Sequence, residues 1–161
     1  MLNFEAILEV LARHRVDFVL VGGVAAVLHG VPGTTFDLDI VQSRDPANID
    51  RLLSALRELD AIYRIQPSRR LVPNASHLTS GGHNLLLTKF GPLDVLGTIG
   101  HGHAWNELIE HCNSLPLDNG LTIAVLNLPM QITVKEEVAG EKDNIMLPLL
   151  RRTLEETNRQ S

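Results

Sequence analysis

Two aspartates one residue apart, Asp37 and Asp39, lie in the stretch Phe36-Asp37-Leu38-Asp39-Ile40-Val41. Side chains alternate across an extended strand, so the two carboxylates share one face, about 6–7 Å apart, and Phe36, Leu38 and Ile40 share the other. Like charges that close raise each other's pKa unless a cation lies between them. A divalent ion that prefers oxygen ligands, such as Mg²⁺, relieves the repulsion. A third carboxylate, Asp94, sits in Gly91-Pro92-Leu93-Asp94-Val95-Leu96. An aspartate inside an apolar strand is costly to bury unless it is paired or binds a cation. If the strands are neighbours, Asp94 completes a cluster able to hold one or two metal ions.

The elements that must position these residues follow from the apolar pattern. Phe18-Val19-Leu20-Val21 is a β-branched run ending at Gly22-Gly23 and reads as a central strand buried on both faces. Glycines after a strand let a backbone approach phosphate closely, and Val24–Leu28 suits a short helix, stopped near Gly30 and Pro32. Phe4, Ile7, Leu8 and Leu11 recur at helical spacing. Asp45-Pro46 supplies an N-cap and a first-turn proline for a helix to about Leu59, with a strand expected over 61–65. Residues 66–82, rich in Pro, Ser, Asn and Gly, read as a long loop containing Arg69-Arg70, a solvated pair or a contact for RNA phosphates. Strands over 84–89 and 93–96 form a hairpin around Phe90-Gly91-Pro92. A helix is expected over 104–112, with Trp105 in the core. A second hairpin turns at Asp118-Asn119-Gly120. Helices fill the chain from Leu128, broken at Gly140, and Pro148 is expected to open the last one.

This pattern predicts an α+β fold: a mixed sheet packed against helices, with residues 1–126 as core and 127–161 as a helical segment packed on it. The chain has 161 residues, 44% hydrophobic and 20% charged, enough for one self-sufficient core. A net charge of −5 argues against a whole-surface basic field for nucleic acid. Cys112 is the one cysteine, which excludes an intramolecular disulfide and fits a reducing cytoplasm. Met1–Glu5 does not read as a signal peptide, and no apolar run approaches the roughly 20 residues of a bilayer span. His101-Gly102-His103 has no companion ligands at zinc spacing and reads as a loop pair, as do His29 and His83. Gly22-Gly23 does not extend to the dinucleotide-binding G-x-G-x-x-G spacing.

Val19-Leu20-Val21-Gly22-Gly23, followed by Thr35-Phe36-Asp37-Leu38-Asp39-Ile40-Val41 and later by Asp94, resembles the DNA polymerase beta-type nucleotidyltransferases. More closely it is similar to their small bacterial members, the AbiEii-like and minimal nucleotidyltransferases. Lys135 and Ala139-Gly140-Glu141-Lys142-Asp143 look like the family's C-terminal helix motif. The resemblance implies transfer of a nucleoside monophosphate from an NTP to an acceptor, which it leaves open as tRNA, a protein or a small molecule. It implies Mg²⁺, or Mn²⁺, on Asp37, Asp39 and Asp94 as the metal-binding and catalytic set. Gly22, Gly23, Thr35, Lys135 and Lys142 are the implied nucleotide contacts. An alternative remains: a weak or inactive nucleotidyltransferase-fold module in a toxin–antitoxin or defence system, with a small helical partner protein. Gly23 and Gly33, standing where the family often carries serine and arginine, favour that alternative.

Overall fold

The computed structural model describes residues 2–139 and 143–160. Among them, α1 (Phe4–Arg13), β1 (Phe18–Val21), α2 (Gly22–Leu28), β2 (Leu38–Gln42), α3 (Pro46–Glu58) and β3 (Ile62–Tyr63) lead into α4 (Ala75–Thr79) and the hairpin β4 (His83–Thr88) and β5 (Gly91–Leu96). Then come α5 (Trp105–Leu108), β6 (Cys112–Pro116), β7 (Thr122–Leu126), α6 (Leu128–Glu137) and α7 (Asp143–Gln160). The strands form one mixed sheet in the order β3-β4-β5-β2-β1-β7-β6. β1 runs antiparallel to β2, whereas β2 and β5 are parallel, as are β1 and β7. The fold is the expected α+β arrangement.

The sheet's two faces bury different sets. On one, Leu20, Leu38, Ile40, Leu93 and Val95 pack with Ile7, Leu8 and Leu11 of α1 and Ile49, Leu52 and Leu56 of α3. On the other, Val19, Val21, Val41, Leu96 and Leu126 pack with Leu108 and Met130. β1 is buried along its whole length, as a central strand must be. A third cluster joins Ala26 of α2, Leu128 and Ile132 of α6, and Leu147 and Leu150 of α7. This ties the C-terminal helices to the segment that follows the glycine turn. Among the described residues, no helix is long and apolar enough to cross a membrane.

Four expectations change. Pro148 lies inside α7 rather than opening it. Burial of Leu147 and Leu150 on either side holds the helix across a residue that lacks an N–H. The helix expected over 104–112 is cut to four residues and a 3₁₀ turn at Ile109–His111, because Cys112 pairs with Leu126 at the start of β6. The stretch 66–82 carries a 3₁₀ turn, Pro67–Arg69, and α4, capped by Asn74 and anchored by fully buried Leu78. Phe36 does not join Leu38 on the inner face: β2 begins at Leu38, and Phe36 is 80% exposed.

A buried asparagine fixes where β1 begins and β2 ends. Asn48 of α3 has no exposed surface. Its Nδ2 donates to the carbonyls of Asp17 (3.0 Å) and Ser43 (2.8 Å), and its Oδ1 accepts from the N–H of Asp17 (2.7 Å). Asn48→Ala removes the partner of the Asp17 N–H and of the Ser43 carbonyl, while the Asp17 carbonyl keeps the Ser43 N–H at 3.0 Å; a backbone group left unpaired on burial costs about 1–3 kcal/mol. The variant is expected to lose about 2 kcal/mol in urea unfolding. A loss below about 1 kcal/mol would show that this clamp contributes little.

Candidate active site

Sheet register brings the three carboxylates together. Asp39 stands opposite Val21 on one side and Asp94 on the other. Leu38 and Ile40 point into the first core, and their alternation turns Asp39 to the opposite face. Leu93 and Val95 do the same for Asp94. Val41 and Leu96, two residues further along each strand, belong to the second apolar cluster on the acidic face. Asp37, just before β2, joins from its N-terminal end. One carboxylate oxygen from each of Asp37, Asp39 and Asp94 lies within 4.8 Å of the others. Among the described residues this is the group of His, Cys, Asp and Glu side chains placed to share a metal ion.

The electrostatics match that geometry. Asp39 has its pKa pushed up to about 8, first by burial and then by the charges of Asp37 and Asp94. Asp37 is also raised, by burial and by Asp94. Lys135 of α6 opposes the shift at Asp39. Asp94 is 9% exposed, and its buried Oδ1 has no hydrogen bond. Arg64 Nη2 lies 2.9 Å from that oxygen, an ion pair not aligned as a hydrogen bond. Three hard oxygen donors crowded together, one of them buried without a hydrogen bond, fit an oxygen-preferring divalent cation.

Gly22 is demanded by the same cluster. Its φ of +72° lies in the left-handed region, and a Cβ there would fall 2.2 Å from Asp39 Oδ2. At Gly23, a Cβ would stand 2.9 Å from Thr35 Oγ1. The Thr35 hydroxyl instead donates to the carbonyl of Asp37 at 3.0 Å, bracing the entry to β2. Both glycines are partly exposed. They open α2, where first-turn N–H groups lack intrahelical partners.

The structure thus gathers Asp37, Asp39 and Asp94 with Gly22, and brings Thr35 beside Gly23. Lys135 is close enough for its charge to act on Asp39, and Lys142 lies outside the described residues. Arg64 is the member that the motifs did not disclose. Its N–H donates to Leu85 and its Nη1 to Leu86 O (3.2 Å), which fixes the guanidinium beside β5. The available signal was a lone arginine inside a segment expected to be a strand, 61–65. The histidine pair divides. His103 is held between Glu107 and Glu137 (Nε2 to Oε1, 2.8 Å), and the hydrogen bond to Glu137 raises its pKa. His101 contributes its backbone N–H to Glu137. Cys112 is half-buried, its thiol pushed up to about 11 by burial.

No family model matches the chain, and no curated protein matches it by sequence. Solved structures do match. The lincosamide antibiotic adenylyltransferase LnuA, in a lincomycin-bound crystal structure, is 13% identical, with 94% of this chain and 97% of that one covered at a TM-score of 0.59. A Thermotoga maritima protein assigned as a nucleotidyltransferase is 15% identical, with 97% and 96% covered at a TM-score of 0.54. The likeness establishes that the chain has the fold of these proteins.

The raised pKa of Asp39 ties stability to pH. The folded state holds a proton that the unfolded chain releases near 3.8, so stability associated with Asp39 falls as pH rises from there towards about 8. Without divalent metal, the melting temperature of the wild type is therefore expected to fall relative to Asp39→Asn across that window. Saturating Mn²⁺ at pH 8 should raise the wild type and leave the variant unmoved. Parallel melting curves at every pH, with or without Mn²⁺, would contradict the account of the cluster.

Proposed function

We propose that this protein is a divalent-metal-dependent nucleotidyltransferase, moving a nucleoside monophosphate from an NTP to a hydroxyl or amine of an acceptor, with cleavage of the α–β phosphoanhydride bond and release of pyrophosphate. The observation that carries this reading is the convergence of Asp37, Asp39 and Asp94 within 4.8 Å beside the glycine at which α2 begins. A Mg²⁺ or Mn²⁺ ion held there supplies positive charge to the triphosphate oxygens and acidifies the attacking group.

The chain's own residues divide the remaining work. Asp37 and Asp39 hold the metal, and Asp39 gives up its elevated proton in doing so. Asp94 lies in the same cluster and serves as a further ligand and as the group that receives the acceptor's proton. The exposed backbone of Gly22-Gly23 leaves room for phosphate oxygens against the first-turn N–H groups. Thr35 sets the distance between that turn and the acidic strand. Lys135 offsets negative charge that develops during transfer, and Lys142, by resemblance, is assigned the same role. Arg64 pairs with Asp94 and its charge also acts on Asp37, partly balancing three anionic groups in one small space.

A small hydroxyl-bearing acceptor fits best. LnuA, which matches along almost its whole length, is described as an adenylyltransferase acting on lincosamide antibiotics and was crystallised with lincomycin. A net charge of −5 also disfavours tRNA as acceptor, because phosphate contacts dominate nucleic-acid affinity. The AbiEii-like placement, with a defence role and helical partner, rests on sequence resemblance alone. Gly23 does not favour an idle site, since a side chain there would press on Thr35.

Transfer of α-labelled NTP to a panel of small hydroxyl and amine compounds, a lincosamide among them, should require Mg²⁺ or Mn²⁺. Asp39→Asn and Asp94→Asn should each lose about 100-fold or more in rate, with unchanged circular dichroism. Either variant working at the wild-type rate would overturn the assignment.

A further inference from the structure

Phe36 is the aromatic residue whose placement the fold does not explain. The chain contains four Phe, one Tyr and one Trp. Phe18 is buried, and Phe4, Tyr63, Phe90 and Trp105 are partly buried, whereas Phe36 is 80% exposed. Single exposed apolar residues are ordinary on protein surfaces. The position of this one is not, because both sequence neighbours belong to the candidate site. Thr35 Oγ1 lies 2.9 Å from where a Gly23 Cβ would stand, and Asp37 belongs to the carboxylate cluster. Residue 36 is thus bracketed along the chain between a neighbour of the glycine turn and a member of the acidic cluster. Its outward posture is also built: the Thr35 hydroxyl donates to the carbonyl of Asp37 at 3.0 Å, closing a bend around residue 36 and keeping it out of β2. The alternation that buries Leu38 and Ile40 would otherwise have carried Phe36 inward with them.

We infer that Phe36 is the stacking platform for the nucleobase of the bound nucleotide. This rests on the nucleotidyltransferase reading, which brings one planar ring to the site with every turnover. With the triphosphate at Gly22-Gly23 and the carboxylates, the base is the part of the nucleotide that remains to be held, and Phe36, next in the chain to Thr35 and Asp37 and 80% exposed, is the aromatic side chain open to meet it. Stacking on an aromatic face tolerates any base, because every base presents a π-face. The platform therefore adds affinity for nucleotides as a class without selecting one of them.

The test compares two ligands that differ by the nucleoside. ATP and inorganic tripolyphosphate are titrated into the full chain with Mg²⁺ and without acceptor, followed by calorimetry. Phe36→Ala should weaken ATP by roughly 5-fold to 100-fold, the range expected for one stacked base, and leave tripolyphosphate unchanged. Phe36→Trp should keep the ATP affinity, and its added indole emission should be quenched by ATP and not by tripolyphosphate, with the wild type's Trp105 signal as control. If Phe36→Ala leaves ATP binding unchanged, or weakens both ligands equally, the platform is wrong while tripolyphosphate binding keeps the nucleotidyltransferase reading intact. If the wild type binds neither ligand, both readings fall.

Discussion

Mutual repulsion among three carboxylates is the constraint around which this structure is arranged. Asp37 and Asp39 come from one stretch of chain and Asp94 from another, yet all three present oxygens within 4.8 Å of one another in a partly buried setting. Hydrophobic packing holds them there. Leu38, Ile40, Leu93 and Val95 are fully buried on the opposite face, and a one-residue slip of either strand would drive an aspartate into that core. The fold thus keeps the acids together through apolar contacts on its other side. The residual strain appears as the raised pKa values of Asp37 and Asp39, and in part as the Arg64 guanidinium beside Asp94.

The glycine turn obeys the same constraint. A side chain at residue 22 would overlap the Asp39 carboxylate, and one at residue 23 would press on Thr35. Both glycines are therefore explained by what lies against them before any phosphate is considered. The candidate site and a tight packing junction coincide here, which suits a site where small displacements of charge matter to chemistry. The match to LnuA and to the Thermotoga maritima protein at 13% and 15% identity shows how little sequence this backbone arrangement needs.

Much of the site was legible because strand alternation and register are short-range consequences of residue type. Leu38 and Ile40 place Asp39, Leu93 and Val95 place Asp94, and the run from Phe18 to Val21 marks the central strand. Whether the two acidic strands touch was not legible, since β2 and β5 pair in parallel with α3, β3, α4 and β4 between them in the chain. Arg64 escaped notice for the same reason: its role depends on β3 and β4 bringing it beside β5. Nothing in the sequence marks Asn48, because its backbone partners at Asp17 and Ser43 are set by tertiary packing. Phe36 was misplaced because a single side-chain hydrogen bond from Thr35 outweighs the apolar pattern at the strand entrance. Pro148 was misplaced because buried leucines on both sides outweigh the local preference of proline for a helix start.

The central claim is that these three aspartates form one divalent-metal site. Anomalous diffraction from crystals of the full chain soaked in Mn²⁺ tests it most directly. The account predicts an anomalous peak within coordination distance of Asp37, Asp39 and Asp94 together. No peak at the cluster under saturating Mn²⁺, or a peak bound by other residues alone, would contradict it.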